Sequence, residues 1–249
     1  MFHGFYNLAS GMVTQNRNLN VISNNMVNIS TPGYKTDSLT TTTFQQEMLY
    51  RTGNQERNGS AQIGATNMIR VPEQTITDFS QGNYVETGNT LDFAIDGAGF
   101  FKVSTANGMA YTRNGSFYVD DEGCLALKGI GKVQGTGGEI YLENDDIITD
   151  PTGGIYTSEG ELIDNLDIVD FEDYSTLKKQ QNGVYSTTAQ EVTMDAPQVV
   201  SRALEQSNGE PVKLMEDMIA TQRSLQSAAQ LLKIYDQVMG KATTEIGRM

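Results

Sequence analysis

One cysteine, Cys124, and one histidine, His3, are the whole supply of thiol and imidazole chemistry in these 249 residues. A zinc site of Cys/His type cannot be built from one of each, and a nucleophile–histidine couple would have to use His3 at the extreme terminus. A single cysteine also forbids an intramolecular disulfide. What remains is carboxylate chemistry, concentrated in Asp120-Asp121-Glu122 and Asp145-Asp146. Glycoside hydrolysis needs two carboxylates facing each other across a cleft, which adjacency in sequence does not supply. Neither cluster has the spaced ligands and closing Glu of an EF-hand loop. Both stand beside Gly or Asn turn residues and are expected as solvated loops. Gly129-Ile130-Gly131-Lys132-Val133-Gln134-Gly135 has the wrong spacing for a dinucleotide loop and no helix after it. The chain is therefore expected to have no catalytic residue, no cofactor and no metal.

The elements that would position any such group fall into a pattern of their own. The formal charge of −14 is not spread evenly. Residues 1–70 carry a net +2, residues 71–204 a net −15, and residues 205–249 a net −1. A strongly acidic centre argues against nucleic acid, which requires Lys and Arg against phosphate. It suits a solvated outer surface, with near-neutral ends suited to close packing against other copies. Hydrophobic residues make up 38% of the chain, a low share that points to elongated parts. Met1-Phe2-His3-Gly4 offers no basic leader, and Gln15-Asn16-Arg17-Asn18 interrupts any apolar run, so no cleaved secretory signal is expected. No window approaches the ~18 apolar residues of a membrane span.

Two helices are predicted at the ends. Phe5, Leu8, Met12, Gln15, Leu19, Ile22, Met26 and Ile29 alternate +3 and +4 without a slip, a heptad ladder with one polar rung. The helix must stop near Ser30, because Thr31 precedes Pro32. Thr31-Pro32-Gly33-Tyr34 fits a type II turn. At the other end, Met215, Met218, Gln222, Leu225, Ala229, Leu232, Asp236 and Met239 form a second ladder over about 209–245. Ser207-x-x-Glu210 reads as its capping box, with Pro211 in the first turn. Gln15 and Gln222, each a third rung, are expected to share a layer and fix register.

Between them, residues 36–71 read as extended polar structure. From 72 to 204 the pattern turns to short strands: Leu91, Phe93 and Ile95 alternate with polar or small residues, and Asn114-Gly115 signals a hairpin. The expected fold is mixed α+β. Residues 1–35 and 205–249 supply a coiled-coil-like terminal domain, 36–71 a connecting segment, and 72–204 a central acidic antiparallel β-rich domain. Val13, Val21, Val27, Val212, Leu214, Ile219, Leu231, Ile234 and Val238 lie off both ladders, so a two-helix hairpin leaves apolar surface for further partners.

The stretch Ser23-Asn24-Asn25-Met26-Val27-Asn28-Ile29-Ser30-Thr31-Pro32-Gly33-Tyr34-Lys35 resembles the signature of the flagellar rod and hook axial family, carried by Asn24, Asn25, Asn28, Thr31, Pro32, Gly33, Tyr34 and Lys35. Gly88 to Phe101 and Tyr111 to Phe117 resemble the family's central blocks, and Ser207-Asn208 with Met215, Met218-Ile219 and Arg223 its C-terminal helix. The blocks are most similar to the proximal and distal rod types, FlgF and FlgG. Gly209-Glu210 and Leu225 depart from the usual pattern.

The resemblance implies a structural, non-enzymatic subunit of the basal-body rod in the cell envelope. The paired terminal helices would line an inner tube and the β domain would lie outside. It further implies transmission of torque from motor to hook, neighbours among other rod and hook proteins, and uncleaved export through the flagellar type III apparatus. On this reading both ladders, including Met215, Met218, Gln222, Leu225, Leu232 and Met239, form the assembly interface. The competing expectation is an extracellular adhesin with a β head on a coiled-coil stalk. A cell-wall hydrolase working through carboxylates is a third.

Overall fold

A computed structural model describes residues 2–43, 46–51, 61–67, 70–106, 108–142, 144, 147–194 and 197–247. The chain is mixed α+β, with one long helix at each end and an antiparallel β-rich region between them. It divides into two units: residues 1–26, 37–77 and 210–249 form one, and residues 27–36 and 78–209 the other. Asp145-Asp146 lies outside the described residues.

The first unit holds α1 (Phe2–Val27), α2 (Pro211–Ile246) and two pairs of strands. The strands are β1 (Asp37–Thr43), β2 (Gln46–Arg51), β3 (Ala61–Asn67) and β4 (Arg70–Thr77). β1 pairs antiparallel with β4, and β2 with β3. The helices run antiparallel: the Phe5 and Tyr235 rings stand 6.2 Å apart, and Gln15 Nε2 donates to Ser224 Oγ at 3.5 Å. At 1.5 Å per residue, the 36 residues of α2 span about 54 Å. Among the described residues, no helix is long and apolar enough to cross a membrane.

Both helices differ from expectation at their inner ends. α1 stops at Val27, short of Ser30, because Asn28 begins a tight turn in which Thr31 N donates to Asn28 O at 3.0 Å. α2 starts at Pro211, and Ser207 is not its cap: Ser207 Oγ accepts from Gly209 N at 3.2 Å, closing a local turn. The first helical bond is Leu214 N to Glu210 O at 3.0 Å, and Pro211 sits where a missing N–H does no harm.

The second unit is built on a ten-stranded antiparallel sheet. Its strands include β7 (Phe100–Thr105), β8 (Gly108–Thr112), β9 (Phe117–Val119), β10 (Leu125–Leu127) and β11 (Gly131–Gly135). Short pairs join β5 (Tyr84–Glu86) to Ala203–Glu205 and β6 (Phe93–Asp96) to Gln198–Ser201. β7 is central and buried on both faces. Phe101 enters a cluster with Phe93, Phe117, Leu125 and Ile168, and Phe100 enters one with Tyr111, Val169, Phe171 and Tyr185. Each such side chain contributes about 1.5–3 kcal/mol by leaving water.

Asn114-Gly115 does not close a hairpin, contrary to the sequence reading. β8 pairs with β7 and Val184–Ser186, while β9 pairs with β10. Asn114 Oδ1 instead accepts from Ser116 N at 3.0 Å, a side-chain-closed turn. Gly115 is needed for closeness: its carbonyl accepts from Phe93 N at 3.0 Å, and a Cβ there would lie 1.8 Å from Phe93 O.

Candidate functional site

Thr31 to Lys35, the second half of the family signature, lie at a buried junction of the β-rich unit. Thr31-Pro32-Gly33-Tyr34 makes the expected turn, with Tyr34 N donating to Thr31 O at 3.3 Å and Gly33 at φ +66°. Gly33 N donates to Glu205 O at 2.7 Å, and a Cβ on Gly33 would sit 2.3 Å from the Arg113 carbonyl carbon. No side chain fits there. The Lys35 ammonium, fully buried, donates to Ser80 O at 2.8 Å and to Glu205 Oε1 at 2.5 Å. Gly82 N donates to the same carboxylate oxygen at 2.9 Å. The Lys179 ammonium lies 3.9 Å from the Tyr34 ring centre and donates to Lys35 O at 2.6 Å. Asn208 finishes the knot: its Oδ1 accepts from Thr36 N at 2.9 Å and its amide donates to Asp78 O at 2.8 Å.

Arg113 is the third buried charge. Its Nη1 stands 3.6 Å from Glu205 Oε2, and its guanidinium lies 5.2 Å from the centre of the Phe100 ring. Two cations thus share one carboxylate. Burial pulls the Lys35 pKa below its ordinary value and Arg113 adds to the depression, while Glu205 pulls it back up. Arg113 Nε and Nη1 and Glu205 Oε2 make no hydrogen bond to any described residue. All three side chains are buried, and each oxygen of the carboxylate faces a cation, so the cluster fixes the geometry of the junction.

Other signature residues sit elsewhere. Asn25, buried in the first unit, clasps the backbone of Asp37, donating to its carbonyl at 2.7 Å and accepting from its N–H at 3.0 Å. Asn28 Oδ1 accepts from Thr31 Oγ1 at 3.5 Å, and Asn24 is exposed.

Along α1, Ile22 is buried, Leu8, Met12, Gln15, Leu19 and Met26 are half-buried, and Phe5 is exposed; Ile29, beyond the helix end, is half-buried. Along α2 the covered stripe is Leu214, Met218, Thr221, Leu225, Ala228, Leu232, Tyr235 and Met239, spaced +4 and +3 throughout. It shares Met218, Leu225, Leu232 and Met239 with the sequence ladder, whereas Met215 and Gln222 stand exposed beside it. Tyr6, Val13, Val27, Val212, Met215, Ile219, Leu231, Ile234 and Val238 are each at least half exposed.

Two polar clusters in the β-rich unit have structural explanations. Asp120, Glu122 and Cys124 bring three potential metal ligands together. Asp120 Oδ1, however, accepts from the backbone N–H of both Glu122 and Cys124 at 2.9 Å. The Lys132 ammonium already lies 2.7 Å from Glu122 and 3.1 Å from Glu139. Elsewhere Glu191 accepts from the Tyr111 hydroxyl and, at 2.6 Å, from Lys102, which also lies 3.5 Å from Asp167. Burial alone would lower Lys102, but Glu191 and Asp167 outweigh it and leave its pKa raised. A lysine held charged in this way is no nucleophile.

Comparison with known proteins gives the same picture along the whole chain. Residues 5–35 match a family profile described as flagella basal body rod protein. Residues 94–196 match the flagellar hook protein FlgE/F/G D1 domain, and residues 200–245 the C-terminal region of flagellar basal body rod FlgEFG proteins. The chain is 31% identical over 260 residues to the flagellar basal-body rod protein FlgG of Bacillus subtilis, covering 96% of this chain and 97% of that one. It is 29% identical over 257 residues to the flagellar basal-body rod protein FlgF of Caulobacter vibrioides, covering all of both. It is also 26% identical over 274 residues to the flagellar hook-basal body complex protein FlhO of Bacillus subtilis, again covering all of both.

Proposed function

The chain belongs to the flagellar basal-body rod protein family, and from that premise we propose how this subunit builds the rod. It is a structural component of the flagellar basal body. It polymerises with copies of itself through α1 and α2, which pair as a short left-handed coiled coil along the 3-4 spaced stripe of α2 and its counterpart on α1. The acidic β-rich unit faces outward. Assembled in this way, it passes torque from motor to hook, makes axial contacts with other rod and hook proteins, and reaches its place through the flagellar type III export apparatus without cleavage. It works without catalysis.

One observation carries the reading: the helix pair hides one stripe of each helix and leaves Val13, Val27, Val212, Met215, Ile219, Leu231, Ile234 and Val238 in water. Each is worth about 1.5–3 kcal/mol once covered, and an assembly of identical chains covers them all. The relatives named above are all flagellar proteins, which leaves the adhesin reading without support. The test is sedimentation velocity of the full chain over a wide concentration range, with electron microscopy of the same samples. Concentration-dependent growth into rod-like particles is expected. A chain that stays monomeric at every concentration overturns the reading.

A further inference from the structure

The exposed apolar residues of α2 are not one stripe. Relative to the covered seam, Val212, Met215 and Ile219 lie on one flank of the helix, and Leu231, Ile234 and Val238 lie on the opposite flank. Each flank is greasy for only half its length. The first continues as Gln222, Gln226, Ala229 and Lys233, and the second is preceded by Lys213, Asp217, Ala220, Ser224 and Ser227, so neither flank carries a further large apolar side chain there. The two patches have identical +3, +4 spacing and are offset by 19 residues, which is about 28 Å along the axis at 1.5 Å per residue.

We infer that the two patches are the two halves of one repeating contact, in which the first patch of one copy receives the second patch of the next. This rests on the polymerisation proposed above and specifies its partner surfaces. Parallel neighbouring helices whose seams face the same way present opposite flanks to each other. A displacement of about 28 Å then brings the two patches to one height. Charge agrees with this pairing. At that displacement residues 210–222 of one copy, which hold Glu210, Lys213, Glu216 and Asp217 and a net −2, stand level with residues 229–241 of the next, which hold Lys233, Asp236 and Lys241 and a net +1. The attraction is between whole helix turns, since Asp217 and Lys233 lie on the flanks turned away from this contact. A two-fold contact of either patch with itself would juxtapose like charge. It would also close as a dimer, whereas a head-to-tail contact stays open for growth.

The test uses two full-length variants with exposed substitutions, Met215→Glu with Ile219→Glu and Ile234→Glu with Val238→Glu, and Gln230→Glu as a control on the outer row. Circular dichroism of dilute samples verifies that all keep the helix content of the unsubstituted chain. Each patch variant alone is expected to need at least about a hundredfold more protein to assemble, while the control assembles normally. An equimolar mixture of the two patch variants is expected to stop at a discrete dimer, because each retains the half the other lacks. If either variant alone forms a stable dimer, or if both assemble like the unsubstituted chain, the head-to-tail contact is wrong while polymerisation stands. If the unsubstituted chain itself remains monomeric, the polymerisation reading fails and this contact with it.

Discussion

The Lys35 ammonium and the Glu205 carboxylate meet at 2.5 Å with neither side chain exposed, although 170 residues separate them in sequence. They bind the segment leaving α1 to the segment approaching α2. Their surroundings determine which partner matters more.

Among the described residues, Glu205 is the only carboxylate that pairs with both Lys35 and Arg113. Glu205→Gln leaves two buried cations without an anion and is expected to destabilise the β-rich unit by about 3–5 kcal/mol. Lys35→Met is expected to cost less, because Arg113 still faces the carboxylate. Urea unfolding of the two variants measures the difference, and an equal or greater loss for Lys35→Met would contradict the triad.

Gly33 and Gly88 both have positive φ, at +66° and +73°, but only Gly33 has backbone atoms where a Cβ would go. Gly88→Ala is expected to cost about 1–2 kcal/mol for the left-handed conformation alone. Gly33→Ala must cost more than that, because the Arg113 backbone cannot move aside without dismantling the junction. Similar unfolding midpoints for the two variants would show that the close approach carries no energy.

Alkali should weaken the fold as the pH climbs past 10. Burial pushes Tyr84 up to about 12, helped by Asp96, and pushes Tyr174 up to about 12, helped by Asp170. Burial raises Tyr111 as well, with Glu191 adding to it. An unfolded phenol ionises near 10. These groups therefore lend their full stability below pH 10 and lose it as pH climbs from 10 through 12. Lys35, with a lowered pKa, has the opposite sign, and its change is complete by the unfolded lysine value near 10.4, at the start of that range. Absorbance titration at 295 nm should reveal tyrosines ionising near 12, with unfolding midpoints falling over the same range. Uniform titration near 10 would refute the assignment.

Glu191 behaves in the contrary direction. Burial pushes its carboxyl up, but hydrogen bonds from Lys102 and Tyr111 outweigh this and hold it below its usual value. Its contribution is present above the ordinary carboxyl range and disappears as pH falls through the lowered value. Glu191→Gln is expected to cost about 1–3 kcal/mol near pH 7 and to flatten the acid limb of the stability profile. An unchanged acid limb would show that the cluster contributes nothing.

Much of this was written in the sequence, for local reasons. Thr31-Pro32-Gly33 could only end a helix and turn, and Asn–Gly and Asp–Gly punctuation separates strands whose alternation is visible in Leu91, Phe93 and Ile95. Two things were not legible. The phase of the α2 stripe is ambiguous by spacing, since Leu214 and Met215 are both apolar; only burial places Thr221 and Tyr235 on the covered side and leaves Gln222 and Asp236 outside it. The Lys35–Glu205–Arg113 cluster joins residues from three distant segments, and nothing in their spacing marks them as buried. Asn114-Gly115 misled for a related reason, because its glycine answers to Phe93, a neighbour remote in sequence.

The hydrogen bonds among Thr36, Asp78 and Asn208 tie together backbone at three of the four places where the chain enters or leaves the β-rich unit. Tension drawn through any one of these crossings is therefore spread over the others, as in a cable gland that grips every wire at one collar. A chain fastened this way resists fraying strand by strand. It yields only when the whole collar opens, so its failure under load is expected to be abrupt.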